Sequence, residues 1–192
     1  MTKTIDIYFD YVCPYCYIAS KREAILKEDF DVEFNWRPWE IYPERLLECE
    51  MRGDLSCGFI VTSLAKEIDL RITMPRHISN SHVALLGAEL AKKKGKFNDY
   101  HHAVFQAHWE EKKDVSDIGV LKEICSKIGI DPNGFEQEIA KPEYDRILEE
   151  NDREAERINV LLVPSYVLGD KIVVGNVRLS DLRKEIEKFL RA

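Results

Sequence analysis

Two cysteines near the start of the chain carry the strongest chemical signal in the sequence. Cys13 and Cys16 are separated only by Pro14 and Tyr15, so one helical turn would bring both thiols to the same side. Two thiols this close can close a small disulfide ring and reopen it by exchange with another disulfide. The spacing therefore predicts dithiol–disulfide exchange, with Cys13 and Cys16 as the candidate catalytic residues.

The elements predicted around this pair place its first thiol at the start of a helix. Residues 4–10 are β-branched and aromatic, which predicts a buried strand, and a helix follows over residues 14–27. Pro14 suits the first helical turn, because the N–H it lacks would have no partner there. A helix N-terminus favours the thiolate, and cysteines in such positions have pKa values of about 3.5 to 7.5. We expect Cys13 to attack a substrate disulfide and Cys16 to resolve the mixed disulfide.

Paired cysteines also bind zinc, which is the main alternative interpretation of this motif. The remaining ligands would have to come from Cys49 and Cys57 or from scattered histidines, and the wide spacing of these cysteines matches no compact zinc knuckle. Inert packing is a poor explanation for two thiols around a proline between a strand and a helix. We therefore predict a redox-active pair in preference to a zinc site.

The other elements predict an α/β fold that is interrupted by a long helical segment. Residues 30–36 alternate between apolar and polar side chains, so a second strand follows the first helix and is expected to pair in parallel with the first strand. Strand patterns return only as a hairpin over residues 165–174, before a final amphipathic helix. We expect residues 1–42 and 155–192 to form one discontinuous domain, and residues 43–154 to form a helical insertion.

Six helices are predicted within or across the end of this insertion. Apolar residues recur at helical spacing in each of them. One of them is expected to bury a stripe that contains Leu86 and Leu90, and another is expected to end at Gly129. Their predicted ranges are 56–68, 79–94, 97–111, 117–128, 132–140 and 142–159.

Several separated motifs together resemble the DsbA family of thioredoxin-like oxidoreductases, and in particular its FrnE-like branch. They extend over nearly the whole chain and read YFDYVCPYC at residues 8–16, WRPWEI at 36–41, SHVAL at 81–85 and VPSY at 163–166. The resemblance implies a thioredoxin fold with a large helical insertion between the β-α-β unit and the strand after Pro164. It also implies a protein-disulfide oxidoreductase or isomerase that acts on protein or small-molecule thiols and disulfides, with glutathione as one candidate. The resemblance further implies that neither a metal nor an organic cofactor takes part.

The resemblance assigns substrate contacts to residues around the two thiols. Pro164 has no N–H to donate to a strand ladder. The resemblance implies that the bond between Val163 and Pro164 is cis and that Pro164 lies opposite the cysteines. The backbone of Val163 would then be free to bind a peptide. Pro14 and Tyr15 are expected to line the same site, and Trp39 is the tryptophan expected to border it. His82 could line the cleft above Cys13, although a capping or packing role is the simpler interpretation. His101, His102 and His108 are interpreted as residues of a helix surface or a half-buried face.

One departure from the family pattern concerns the proton of the resolving thiol. Many thioredoxin-like enzymes have a buried carboxylate six residues before the first cysteine, and here that position is Ile7. Asp6 and Asp10 flank it, and strand alternation predicts that they point elsewhere. The sequence therefore identifies no proton acceptor for Cys16.

Composition limits the partners and the compartment. The net charge is −7, and no extended basic stretch offsets it, which argues against nucleic acid as the main partner. No apolar run approaches the ~20 residues of a membrane span, and the N-terminus lacks a signal-peptide pattern, so we expect a cytoplasmic protein. Five cysteines cannot all pair within one chain, and Cys125 is interpreted as a core residue. A monomer and a homodimer are both compatible with the sequence.

Two other functions stay open at this point. Glutathione-dependent isomerases and transferases of the hydroxychromene-carboxylate isomerase and kappa type share the insertion architecture, but they typically carry serine at the position of Cys13. A redox-dependent binding protein or chaperone could use the same groove without turnover. The presence of both thiols favours the oxidoreductase.

Overall fold

A computed structural model describes residues 2–41, 55–73, 75 and 79–192 of the chain, with the backbone alone for residues 55–58. Cys49 lies outside the described residues, and so does the side chain of Cys57. The zinc alternative that involved these two cysteines therefore has no structural test here.

The described residues form four strands and eight helices in the predicted order. The observed bounds lie within one to three residues of the predicted ones. The elements are β1 (Lys3–Phe9), α1 (Pro14–Asp29), β2 (Val32–Pro38), α2 (Leu55–Lys66), α3 (His82–Lys93), α4 (Phe97–Trp109), α5 (Ile118–Lys127), α6 (Phe135–Ile139), α7 (Pro142–Arg157), β3 (Ser165–Leu168), β4 (Lys171–Val174) and α8 (Leu179–Arg191).

The four strands form one sheet in the order β2-β1-β3-β4. β1 pairs in parallel with β2, as the β-α-β order predicts, and antiparallel with β3. Tyr8 lies opposite Ser165 in the second pairing. This register brings Pro164, the residue before Ser165, to the end of β1 from which the Cys13 loop departs.

β1 is the central strand, and its side chains are buried on both faces of the sheet. Ile5, Ile7, Tyr8 and Phe9 have almost no exposed surface. An apolar strand of this kind suits a sheet that is covered by helices on both sides. The strand therefore holds the start of the loop between β1 and α1, which carries Cys13, in a fixed position.

α3 is more deeply buried than a one-sided apolar stripe predicts. Every residue from Ala84 to Ala91 in this helix is buried, because α3 packs against α4, α6 and α7. Gly87 allows α3 to pack closely against Tyr100 of α4, because a Cβ at this position would lie 2.1 Å from the hydroxyl oxygen of Tyr100. Buried residues of β1, α3 and α4 belong to one hydrophobic cluster, so the inserted helices share a core with the sheet.

Local side-chain hydrogen bonds explain the main boundary differences. α6 begins at Phe135 because the Asp131 carboxylate accepts the N–H of Asn133 at 3.0 Å, which favours a turn before the helix. α3 begins at His82 because the Asn80 side chain accepts its N–H at 2.7 Å. Gly129 adopts a positive φ of 80° after α5, as predicted for a residue that ends a helix.

The interpretation of His101 and His108 as surface or half-buried residues is wrong. Both are buried, whereas His102 is exposed. The His101 ring lies among aromatic rings, 4.5 Å from the ring centre of Trp36 and 4.8 Å from that of Phe9. Aromatic residues of α4 turn this face inward onto the sheet, and a histidine among them is buried with them. Burial lowers the pKa of His101 well below its usual value.

This burial makes His101 a source of pH-dependent stability. The unfolded chain takes up a proton at His101 near pH 6.5, while the folded chain keeps the ring neutral, so its contribution to stability is lost as the pH falls below 6.5. The unfolding free energy of the parent is expected to fall as the pH drops below 6.5. We predict that this fall is smaller in His101→Phe, by up to about 1.4 kcal/mol per pH unit. Urea unfolding of both proteins between pH 4.5 and 7.5 measures the difference, with His102→Gln as the control. Parallel pH profiles for the parent and His101→Phe would contradict the prediction.

Candidate active site

The two cysteines lie at the start of α1, where the sequence places them. Cys13 is the N-cap residue, and Pro14 is the first residue of the helix. The carbonyl of Cys13 accepts the N–H of Tyr17 at 3.1 Å, while the N–H of Cys13 donates to the carbonyl of Asp10 at 3.3 Å. The Cys13 thiol therefore stands at the positive end of the helix dipole.

The two thiols face each other in a dry environment. Both are free, only 4% of the Cys13 surface is exposed, and Cys16 has no exposed surface. Cys16 shares a hydrogen bond with Cys13, and its pKa is raised well above the usual value, first by burial and then by this neighbour. Cys16 is therefore held as a thiol beside Cys13 in the reduced protein.

The peptide bond between Val163 and Pro164 is cis, as predicted, and it adjoins the first thiol. The Cys13 thiol donates to the carbonyl of Val163, with 3.4 Å between sulfur and oxygen. Gly175, which follows β4, donates its N–H to the carbonyl of Pro164 at 2.6 Å. A Cβ at Gly175 would lie 2.3 Å from Cγ of Pro164, so a side chain there would displace the proline. Gly175 was not among the predicted site residues, although a glycine directly after a strand often marks a place where another backbone segment or side chain packs closely against the strand.

The expectation that Asp10 points away from the site is wrong, whereas Asp6 does lie elsewhere and pairs with Arg37 at 3.4 Å. Asp10 follows the last residue of β1, so strand alternation does not govern its direction. It has no exposed surface, and its carboxylate accepts the N–H of Val12 at 3.1 Å and that of Ile41 at 2.8 Å. Burial raises the pKa of Asp10 to about 6 despite these hydrogen bonds.

The inserted helix α4 also holds the loop between β1 and α1. The indole N–H of Trp109 donates to the carbonyl of Tyr11 at 2.8 Å. Its ring stacks on Tyr17 with ring centres 5.7 Å apart, and Tyr17 donates its hydroxyl to Glu110 at 2.7 Å. Trp109 is buried, and its hydrogen bond to the loop joins residues that are 98 positions apart in the sequence.

The remaining substrate-contact candidates surround the thiols to different degrees. Pro14 and Tyr15 are half-buried at the first turn of α1, and Val163 is buried against Cys13. Trp39 is half-buried directly after β2, and its N–H donates to the carbonyl of Phe9 at 2.9 Å. These positions are compatible with contacts to a substrate at the thiols.

His82 connects two parts of the fold. Its Nδ1 lies 3.0 Å from a carboxylate oxygen of Glu40, and its Nε2 lies 3.5 Å from one of Asp145 in α7. These contacts place the ring between the end of β2 and α7. They favour the packing interpretation of His82 over a direct role at the thiols.

Among the residues whose placement is described, no group of three or more His, Cys, Asp and Glu side chains is arranged to hold a metal ion. None of the described helices combines the length and the apolar character that a membrane crossing requires.

Comparisons with known proteins agree with this geometry. The sequence model of the DSBA-like thioredoxin domain family matches residues 4–187. The uncharacterised protein YwbO of Bacillus subtilis is 28% identical over 91% of each chain. The solved structure of 2-hydroxychromene-2-carboxylate isomerase has a TM-score of 0.81 at 22% identity, over 98% of this chain and 96% of that chain. The cytosolic disulfide reductase DsbM from Pseudomonas aeruginosa, solved with GSH, has a TM-score of 0.69 at 18% identity, over 98% of this chain and 100% of that chain.

These matches confirm the predicted fold class, a thioredoxin fold with a helical insertion. The matched residues span the sheet, the inserted helices and nearly all of α8. The solved structures cover the same elements over almost the full length of the chain.

The bond between Trp109 and the loop leads to a stability prediction. Trp109→Phe keeps an aromatic ring but leaves the buried carbonyl of Tyr11 without its donor, which costs about 1–3 kcal/mol of unfolding free energy. Urea unfolding at pH 7 measures this loss. The control is Tyr17→Phe, which removes a hydroxyl whose partner, Glu110, is exposed and can bind water instead. Equal losses in the two variants would mean that the indole bond does not stabilise the loop.

Proposed function

The chain belongs to the DSBA-like thioredoxin domain family of thiol–disulfide oxidoreductases, and on this basis we propose that it exchanges disulfides through Cys13 as nucleophile and Cys16 as resolving thiol. The observation that carries the proposal is the pair of free, buried thiols at the N-terminus of α1, with the Cys13 sulfur 3.4 Å from the carbonyl that precedes cis-Pro164. Assignment to the FrnE-like branch of the family stays a prediction.

The environments of the two sulfurs differ in the way that the two roles require. Cys13 stands at the helix N-terminus, where the dipole favours a thiolate, and it is the more exposed of the two. Cys16 lies one turn further in, without exposed surface and with a raised pKa. A substrate disulfide can therefore reach Cys13 first, while Cys16 waits as a thiol.

The proposed reaction has two exchange steps. The Cys13 thiolate attacks one sulfur of the substrate disulfide, the substrate S–S bond breaks, and the second substrate sulfur leaves as a thiolate. Cys16 then loses its proton and attacks the sulfur of Cys13, which releases the first substrate sulfur. The substrate disulfide is reduced to two thiols, the dithiol is oxidised to a Cys13–Cys16 disulfide, and both protons end on the released thiols. The reverse sequence oxidises a substrate dithiol.

The segment around Pro164 is proposed to bind the substrate next to these sulfurs. The Val163 carbonyl lies 3.4 Å from the Cys13 sulfur, so a group bound along this segment would meet the nucleophile. Leu161 and Leu162, directly before Val163, are exposed and offer an apolar surface to a partner. Pro14, Tyr15 and Trp39 are the further residues proposed to contact a substrate, whereas His82, held by Glu40 and Asp145, is assigned a packing role in this proposal.

The partners and the compartment belong to the same proposal. The substrates are protein or small-molecule thiols and disulfides, and the DsbM structure with GSH supports glutathione as a candidate. That protein is described as cytosolic, which supports a cytoplasmic location for this chain. Neither nucleic acid nor a membrane is proposed as a partner, and the protein acts as a monomer or a homodimer.

A glutathione-dependent isomerase is the second candidate function. It is favoured by the TM-score of 0.81 to 2-hydroxychromene-2-carboxylate isomerase over nearly the full length of both chains. Such an activity would use bound glutathione and would not need a second thiol at Cys16. Incubation of the protein with glutathione and 2-hydroxychromene-2-carboxylate, followed by absorbance, tests this candidate directly.

We predict that the two cysteines are unequal in turnover. Cys13→Ser abolishes reduction of insulin by the protein in the presence of a thiol reductant, because no sulfur is left to attack. Cys16→Ser abolishes dithiol turnover but keeps the first step, so substrates accumulate as mixed disulfides on Cys13 that mass spectrometry detects. The control is Cys125→Ala, which removes a buried free thiol of α5 that takes no part in the proposed reaction.

Equilibration with mixtures of reduced and oxidised glutathione measures the same chemistry without a protein substrate. The parent protein is expected to interconvert between dithiol and disulfide in one two-electron transition, and this gives its reduction potential. Full insulin turnover by Cys16→Ser would exclude the two-thiol mechanism. Isomerase activity that survives in the same variant would favour the second candidate.

A further inference from the structure

Asp10 is the buried ionisable group that the proposed exchange does not use. Its carboxylate has no exposed surface, and within the described ranges of the chain it forms no ion pair with a lysine, arginine or histidine. A buried carboxylate without a cation is costly, because removal from water disfavours its charge. A neutral acceptor such as asparagine could cap one backbone N–H without this cost. The buried charge of Asp10 therefore has a cost that backbone capping alone does not require.

The polar groups around the carboxylate belong to three separate segments. One oxygen accepts the N–H of Val12, in the loop that carries Cys13, and the other accepts the N–H of Ile41, after β2. The hydroxyl of Ser81, the N-cap residue of α3, faces the same carboxylate and lowers its pKa. Only an ionised carboxylate has both oxygens free to accept from donors on all sides.

Together with other hydrogen bonds, these contacts hold the backbone of residues 11–13 in place. The carbonyl of Tyr11 is held by Trp109, the N–H of Val12 by the Asp10 side chain, and the N–H of Cys13 by the Asp10 carbonyl. Protonation of Asp10 would turn one oxygen into a donor that faces a backbone N–H. One of the two backbone hydrogen bonds would then be lost, and the loop or the segment at Ile41 would be released.

The groups that face Asp10 are themselves acids. Glu40, before Ile41, raises the pKa of Asp10, and the charge of Asp10 in turn raises the pKa of the Tyr11 phenol. The same charge raises the pKa of Cys16, while the Asp10 backbone lowers it. Asp10 thus affects the site in two opposite ways. Its negative charge disfavours a nearby thiolate, whereas its hydrogen bonds hold the Cys13 loop in place.

We propose that Asp10 is a positioning residue of the dithiol, whose ionised carboxylate holds the loop of Cys13 in the geometry required for thiol exchange and releases it on protonation. The proposal rests on the proposed function of Cys13 and adds a second ionisation to it. The reactivity of Cys13 then depends on the ionisation of Asp10 as well as on the thiol itself.

The test measures alkylation of Cys13 by iodoacetamide between pH 4.5 and 8.5 in the Cys16→Ser background, with quantification by peptide mass spectrometry so that other cysteines do not contribute. The parent is expected to lose Cys13 reactivity below about pH 6, the pKa of Asp10, more steeply than Asp10→Asn does. Asp10→Asn is expected to lack this step and to react about tenfold more slowly at pH 7.5, the loss that corresponds to about 1.4 kcal/mol. The matched control is Asp6→Asn, on the same strand segment but paired with Arg37 at the surface.

The two effects of Asp10 predict opposite results, so the outcome is decisive. If the negative charge alone mattered, Asp10→Asn would make Cys13 react faster, and that result would overturn the proposal. An unchanged rate and an unchanged pH profile would overturn it as well. Circular dichroism of each variant establishes that the comparison is made on folded protein.

A second variant keeps the test valid if Asp10→Asn does not fold. Ser81→Ala removes a hydroxyl that lowers the pKa of Asp10, so the low-pH step in Cys13 alkylation is expected to move to higher pH. A step that stays in place would contradict the proposal. Alkylation needs no substrate, so it reports on Asp10 even if the protein shows no insulin or glutathione turnover, and the two proposals can fail independently.

Discussion

The turn between β1 and α1 is the constraint on which the rest of the site depends. Tyr11, Val12 and Cys13 are all buried, so their backbone polar groups have no access to water and need partners from the protein. Trp109 and Asp10 supply these partners. Because an unsatisfied buried backbone group costs about 1–3 kcal/mol, these hydrogen bonds stabilise the observed conformation of the turn. That conformation places the Cys13 sulfur at the tip of α1.

The inserted helices are part of this arrangement and not an independent module. α4 supplies Trp109, and the N-cap of α3 supplies Ser81 beside Asp10. A single hydrophobic cluster continues from β1 into α3 and α4, so movement of these helices would disturb the loop. The other side of α1 is held by the buried guanidinium of Arg22, which binds Glu67 and the carbonyl of Val177 at 2.9 Å each. The helix that carries both cysteines is thus fixed at its tip and along its length.

Local patterns were sufficient to predict the element order, the parallel pairing of β1 with β2 and the position of the thiol pair. Each of these depends on residues close together in sequence, such as the proline after Cys13 or the alternation along β2. The roles of Asp10, Trp109 and Gly175 were not predicted, because each acts through a partner that only the folded chain brings near. Asp10 lies one residue beyond the strand, where alternation no longer determines direction, and Trp109 is 98 residues from the carbonyl that it binds. The burial of His101 has the same origin, since it depends on which face of α4 meets the sheet.

The asymmetry between the two sulfurs links the fold to the chemistry. A helix tip provides an oriented dipole whose effect is strongest at the N-cap and weakens within the first turn, so it acts more on Cys13 than on Cys16. Cys16 points into a core that contains Asp10 and Tyr166, and there desolvation opposes a second thiolate. The two side chains, three residues apart, therefore have different environments, as the two roles in the proposed mechanism require. A serine at position 13 would keep the helix tip and its capacity to bind an anionic sulfur from a bound thiol, but it would lose the exchange chemistry. In the proposed mechanism, the exchange chemistry therefore depends on the sulfur at the N-cap of α1.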